Sequence, residues 1–350
     1  MFQIIGGRGV VAVAVSAFSV FGIAADAPAS VIRDDVHRSE YRELADRGFL
    51  QSVGQVITDV GFGSGTLIKE NWVLTAAHVV DFASKVRFKI GNQSYRAKHV
   101  VVHEKWDPII GVNGLASKDL ALIRLSRDVA SKFKPAKLNN KKNIVGMNSV
   151  SAGFGRSGTG STGMTTGLRH LAGQNVVDAT ANNGRVILSD FDDPINAADS
   201  SLGDSKARDL EALIGSGDSG GGLFVRHNKG WRLAGVHSFG SSSDGNTDSD
   251  YGDVSGHVSV AFYRDWIKRT IQRVNPQVDD GKFDKVPFPD PISGLPDASL
   301  ALSLPRVATD SIVLDGGFTT GVPEPATTGL LAFGGFLMLA RGRRSRLEFR

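Results

Sequence analysis

Short apolar runs broken by glycine, serine and asparagine recur between residues 31 and 275. They fall at 65–68, 73–74, 100–102, 120–125, 186–188, 223–225 and 233–236, each long enough for one strand and too short for a helix. One stretch departs from this pattern. Between residues 259 and 274 the apolar side chains of Phe262, Trp266, Ile267 and Ile271 return at helical spacing. The pattern therefore predicts an all-β body, one β-barrel domain or two half-size barrels in size, closed by a single helix, and no internal repeat is visible in it.

The two ends follow other rules. Residues 1–24 carry one positive charge, Arg8, then an apolar run from Gly9, with small residues at Gly22, Ala24 and Ala25. This is the layout of a secretory signal peptide cleaved after Ala24 or Ala25, and the run is short of the roughly 20 residues that span a bilayer. After the body, 276–321 is rich in proline, aspartate, glycine and serine, which reads as a linker or stalk. Residues 322–350 begin Val322-Pro323-Glu324-Pro325, continue through the uncharged stretch 326–340 and end in an arginine cluster.

Composition changes the picture in three places. The 42 glycines follow no collagen-like period and suit a turn-rich β chain. The absence of cysteine excludes a disulfide scaffold, a cysteine nucleophile and any thiolate metal site. The net charge of +4 sits entirely in the last ten residues, where Arg341, Arg343, Arg344, Arg346 and Arg350 face one acid, Glu348. The body has no basic surplus, so a nucleic-acid partner is not expected.

Three segments carry candidate chemistry. They are Gly63-Ser64-Gly65-Thr66-Leu67-Ile68 with Trp72-Val73-Leu74-Thr75-Ala76-Ala77-His78, then Lys118-Asp119-Leu120-Ala121-Leu122, then Gly215-Ser216-Gly217-Asp218-Ser219-Gly220-Gly221-Gly222-Leu223. Each alone is unremarkable: a histidine after a strand, an aspartate before one, a glycine-rich turn. Together they place His, Asp and Ser in one chain. A serine hydroxyl needs an imidazole to accept its proton, and the imidazole needs a carboxylate to hold its tautomer and stabilise its charge. The glycines beside Ser219 permit a sharp turn that exposes backbone N–H groups to a developing oxyanion.

These segments resemble the TAAH, D-[IL]-A-L and G-D-S-G-G motifs of the trypsin/chymotrypsin-like serine peptidases. Gly153-Phe154-Gly155, Val236-His237-Ser238-Phe239-Gly240 and Tyr263-Arg264-Asp265-Trp266-Ile267 are similar to three further blocks of that family, in family order. The resemblance implies two six-stranded antiparallel β-barrels with a C-terminal helix, and an exported serine endopeptidase acting on protein or peptide substrates without a cofactor. It implies Ser219 as nucleophile, His78 as general base and then acid, and Asp119 as orienting carboxylate. Gly217 and Ser219 would supply the oxyanion hole. Ser238 would support Asp119, and 238–240 would pair with the substrate backbone. Two other classes compete: a catalytically silent barrel acting as a binding or matrix module, and an esterase on the same site.

The chain departs from the family in places. Val79 stands where a cysteine follows the catalytic histidine. The family's I-V-G-G mature N-terminus, whose ammonium pairs with the aspartate before the nucleophile, has its nearest counterpart in Val31-Ile32-Arg33-Asp34, without the glycines. Leu213 stands where basic-cleaving members have aspartate; with Phe239 it favours an apolar or small P1 residue. His237 offers a rival reading, recognition of a P1 carboxylate. His99 and His103 near Glu104 lack a third ligand, and the aspartates 244, 248, 250 and 253 lack calcium-loop spacing, so no metal is expected. The C-terminal arrangement resembles the PEP-CTERM sorting signal of Gram-negative bacteria, which implies transient membrane insertion, processing by a signal peptidase and an exosortase-type enzyme, and delivery to the cell surface or exterior.

Overall fold

A computed structural model of the chain describes residues 30–274 apart from 109–116, 166–169, 204 and 243, together with the backbone of 284–285 and 319–321. The predicted leader, most of the linker and the 322–350 signal lie outside the described residues. Among the described residues no helix is long and apolar enough to cross a membrane.

The described chain enters through β1 (Ser30–Ile32) and a helix, α1 (Arg38–Ala45), that the apolar pattern did not predict. Only Tyr41 and Ala45 of α1 are buried, too thin an apolar stripe to read from sequence; the His37 side chain starts the helix by accepting from the Ser39 N–H. Six strands follow: β2 (Val53–Thr58), β3 (Phe62–Lys69), β4 (Trp72–Thr75), β5 (Val86–Ile90), β6 (Gln93–Val102) and β7 (Ala121–Leu125). The single turn α2 (Ala77–Val80) lies between β4 and β5. The strand order is β6-β5-β2-β3-β4-β7, and an added β6–β7 ladder closes the barrel. Strand β5 shows why: Val86, Phe88 and Ile90 point inward while Arg87 and Lys89 point out, the period-2 alternation of a one-sided strand.

The second half contains β8 (Asn148–Gly153), β9 (Ser157–Thr159), β10 (Gly163–Met164), β11 (Leu171–Val176), β12 (Ala179–Ala181), β13 (Val186–Asp190), β14 (Ala212–Leu213), β15 (Gly222–His227), β16 (Gly230–Ser242) and β17 (Val254–Ser259). The main sheet runs β11-β8-β15-β16-β17-β13-β12, so the six expected long strands carry a short seventh, β12. Its seam between β11 and β13 is crossed by Asn175 Nδ2 donating to the Asp190 carbonyl at 2.7 Å and by Ser189 Oγ donating to the Val176 carbonyl. A small sheet, β10-β9-β1-β14, ties the N-terminal strand into this half.

Helix α3 (Val260–Arg273) closes the body where the sequence predicts it. Its inner face includes Tyr263 as well as Trp266 and Ile267, whereas Phe262 and Ile271 are only partly buried. Trp266 Nε1 donates to Glu104 Oε2 at 2.9 Å, and His103 packs edge-on to Tyr263. Phe224, Leu233, Val236, Val258 and Trp266 join Leu67, Val73, Phe88 and Leu122 in one core cluster, so the two halves share a single apolar interior. Two short pieces of the proline-rich stretch are strand-paired: β18 (Asp284–Lys285) on β6 and β19 (Thr319–Gly321) on β16.

Candidate active site

Strand β4 ends at Thr75, and the chain turns at Ala76 into α2, which carries His78 away from the barrel wall. Asp119 stands just before β7, the neighbour of β4. The His78 backbone N–H donates to Asp119 Oδ1 at 2.9 Å and its Nδ1 pairs with Oδ2 at 2.7 Å. Ser238, on β16 of the other half, donates its Oγ to the same Oδ2 at 2.6 Å. Asp119 is fully buried, so these three donors decide its position. The carboxylate can only accept, so Nδ1 carries the proton and Nε2 presents a lone pair. Nε2 is buried and has no hydrogen-bond partner among the described residues.

The nucleophile turn is held against the first barrel. The Ser64 N–H donates to the Ser219 carbonyl at 2.7 Å, and Ser64 Oγ donates to the Gly217 carbonyl at 3.0 Å. The Phe154 N–H in turn donates to Ser64 Oγ at 2.8 Å. Gly220, with φ of 84°, sits so close that a Cβ would lie 2.1 Å from Thr75 Oγ1 and 3.0 Å from the Ala76 nitrogen. The turn thus lies on the segment that leads into His78. Ser64 was legible as part of a motif but not as its clamp, because a serine in a glycine-rich strand has no distinguishing pattern.

Two carbonyls orient the backbone donors. The Arg156 N–H donates to the Ser216 carbonyl at 2.6 Å, and the Gly221 N–H donates to the Asp218 carbonyl at 2.8 Å. In a planar trans peptide the N–H points opposite to the carbonyl, so the Gly217 and Ser219 N–H groups turn away from those partners. Gly217 has φ of 94°, a conformation that a side chain would resist.

Asp218 is fully buried in the second half. It accepts from the Gly155 N–H and the Gly215 N–H, both at 2.8 Å, and from Ser30 Oγ at 3.1 Å. The Ser30 backbone N–H also bonds to it. Burial, against donors that are all neutral, pushes its carboxyl up to about 6. The N-terminal contact is therefore Ser30, one residue before the Val31 expected from the sequence. Val31 pairs with Leu213 in the β1–β14 ladder instead.

The residues expected to set specificity are all buried. Leu213 is buried in a cluster with Val31 and Phe191, with Met164 and Tyr251 packed against it. His237 is fully buried, its Nδ1 2.8 Å from His257 Nδ1, and desolvation together with the neighbouring imidazole pulls its pKa well below 6.5. A neutral, enclosed imidazole is unsuited to meeting a substrate carboxylate. Phe239 is buried with Val186, Leu188 and Val254, and its ring covers Gly256. Gly240 continues β16 beyond it. Val79, in place of the cysteine, is buried in the shared core.

Asp248, Asp250 and Asp253 bring carboxylate oxygens within 4.8 Å of one another. Asp253 is buried, and burial plus mutual repulsion pushes it up to about 7 and Asp250 up to about 6.

The trypsin family profile matches residues 47–267. The chain belongs to the trypsin family. It is a serine peptidase of mostly β architecture, consistent with the chymotrypsin-like fold. Among curated relatives, the serine protease SSP1 of Scolopendra subspinipes is 29% identical over 225 residues, covering 59% of this chain and 72% of that protein. The chymotrypsin-like elastase family member 1 of Homo sapiens is 28% identical over 224 residues, covering 59% and 80% respectively. A solved structure, HL collagenase, aligns over 64% of this chain and 95% of its own with a TM-score of 0.47 and 20% identity.

Proposed function

We propose that this peptidase is an exported endopeptidase that uses Ser219, His78 and Asp119 as its catalytic triad. The observation that carries the reading is the three-donor cradle of Asp119, which leaves His78 Nε2 unbonded beside the nucleophile turn. Ser219 Oγ attacks the scissile carbonyl while Nε2 takes its proton, and Asp119 offsets the charge of the imidazolium. The Gly217 and Ser219 N–H groups receive the oxyanion. As the C–N bond breaks, His78 returns the proton to the leaving amine, and an acyl ester remains on Ser219. Water, deprotonated by His78, then hydrolyses that ester.

The substrate backbone pairs with 238–240. An apolar or small P1 residue is favoured, because Val186, Leu188 and Val254 make the surroundings of Phe239 apolar. A relative named as an elastase is in keeping with this preference. Labelling of Ser219 by a fluorophosphonate probe, lost in His78→Ala, tests the mechanism. A peptide-library digest tests the specificity, and dominance of P1 lysine or arginine contradicts it.

Export rests on the ends of the sequence. A signal peptidase removes the leader, and an exosortase-type enzyme processes the Val322-Pro323-Glu324-Pro325 region, delivering the enzyme to the surface or exterior of a Gram-negative cell. Mass spectrometry of protein from such a host tests this; a cell-exterior form that retains Arg341 to Arg350 contradicts it. Activation follows from Ser30: cleavage before it sets an α-ammonium where its N–H now meets Asp218, giving the buried carboxylate a cation.

A further inference from the structure

The strand assigned to substrate is paired in this chain at its outer end, Gly240, and along the two residues that follow it. Thr319–Gly321 lies antiparallel on the end of β16, with Thr319 opposite Ser242, Thr320 opposite Ser241 and Gly321 opposite Gly240. Direction is informative here. As the segment advances from 319 to 321, its partner retreats from 242 to 240, towards Ser238 and the carboxylate of Asp119 that Ser238 holds. At about 3.4 Å per residue, two more positions separate the level of Gly240 from that of Ser238. A peptide that approaches the nucleophile from its N-terminal side must run the same way.

The local sequence suits this use. Residues 306–322 contain no proline, although Pro287, Pro289, Pro291, Pro296 and Pro305 precede them and Pro323 follows. Every residue of the segment therefore keeps the N–H that a ladder requires. The two threonines favour extended backbone, and Gly321 faces Gly240 with no side chain on either partner. Gly240, Ser241 and Ser242 are all buried.

We propose that residues 319–321 dock in cis on the outer end of the substrate strand, at Gly240 and the two residues beyond it, so that the C-terminal segment of the chain competes with peptide substrates for that end of the cleft. The proposal rests on the assignment of 238–240 as the substrate strand. Chain addition to a strand edge is a general recognition mode, and tethering makes it intramolecular, with effective concentrations in the millimolar range for short linkers. The occupied enzyme retains its triad and oxyanion donors, and peptide substrates meet a cleft already filled on one side.

The test uses the full chain and a variant carrying Thr319→Pro, Thr320→Pro and Gly321→Pro, which removes all three N–H donors outside the barrels. Both are also prepared with Ser219→Ala. Amide hydrogen exchange at 240–242 in the Ser219→Ala pair should be slow with the natural segment and at least about tenfold faster with the prolines. On peptide amides extending four residues before the cut, the proline variant should show a KM about three- to tenfold lower with kcat little changed. A small ester that contacts only the nucleophile end should be cleaved equally by both. A synthetic peptide of residues 316–325 should inhibit the proline variant competitively. Equal exchange in the two chains overturns the proposal, and so does protection that grows with protein concentration, which would assign the strand to a second copy. Hydrolysis with unchanged exchange sinks the docking alone. Altered exchange with no hydrolysis by any form sinks the proposed mechanism and leaves the docking standing.

Discussion

The two halves solve the same packing problem with opposite electrostatics. The first barrel closes through a complete ladder, and its contribution to the site, His78 and Asp119, is satisfied by short bonds at a single carboxylate. In the second half, Asp178, Asp190, Glu211, Asp218, Asp250 and Asp253 all have raised pKa values, and His237 and His257 have lowered ones, chiefly through burial. Every described carboxylate pushed upward belongs to that half. The difference is that His78 and Asp119 stand in a half with no described carboxylate pushed upward, while the turn around Ser219 stands in the half where burial has pushed six of them up.

The largest expected effect breaks the contact between the halves at the chemistry itself. Ser219→Ala should lower turnover by roughly 10⁴–10⁶ and Asp119→Asn by roughly 10⁴, with the fold intact by circular dichroism. Near-normal hydrolysis by either variant in steady-state assays would mean that the cradle around Asp119 serves structure alone.

Leu213→Asp comes next. Its side chain is sealed among Val31, Phe191, Met164 and Tyr251, so the charge meets an apolar cluster. We expect destabilisation of about 3 kcal/mol in denaturant melts, not a switch to basic substrates. A stable variant that cleaves after arginine would show that Leu213 faces an open pocket after all.

The N-terminus offers a smaller effect with a defined sign. In the uncleaved chain Asp218 titrates near 6, above its ordinary 3.8, so the stability it contributes is present below about pH 4 and is lost as pH rises through 6. An ammonium at Ser30 reverses this by favouring the carboxylate. A chain beginning at Ser30 should therefore be about tenfold or more active than one extended through Ala29 at pH 7–8, with the gap narrowing towards pH 5. Parallel pH–rate profiles for the two chains would remove Ser30 from activation.

Glu211 gives the smallest and most local change. It is pushed up to about 9 by burial, with Asp192 and Asp178 adding repulsion, so folding stability from this group falls as pH rises from about 4.5 towards 9. Glu211→Gln keeps an acceptor for the Arg208 N–H and removes the ionisation. Its melting temperature should exceed that of the parent at pH 8 by several degrees and match it at pH 5. An equal difference at both pH values would trace the change to packing instead.

Much of this site was legible before any fold was known. His78, Asp119, Ser219 and Ser238 lie in runs whose residue types suit acyl-transfer chemistry, and the short apolar runs at 65–68, 120–125 and 223–225 all fall on strands, apart from Leu120. Helix α1 was missed because two buried residues in eight leave no readable period, and its stability comes from docking against β11. His237 and Leu213 were assigned to the cleft by their offsets from Ser238 and Ser219. An offset locates a backbone position but does not say whether the side chain is enclosed by neighbours from distant strands.

By itself, the sequence determined the family, the candidate reacting groups and the short apolar runs that make the sheets, because each is written in local residue types and spacings. The tertiary structure alone decided that Ser30 and not Val31 meets Asp218, that Ser64 bonds the turn around Ser219, that His237 is buried against His257, and that 319–321 lies along the end of β16. Those contacts join residues as far as 188 positions apart in the chain. They are settled by which groups burial brings together and which partners remain for them, and no local pattern encodes that choice.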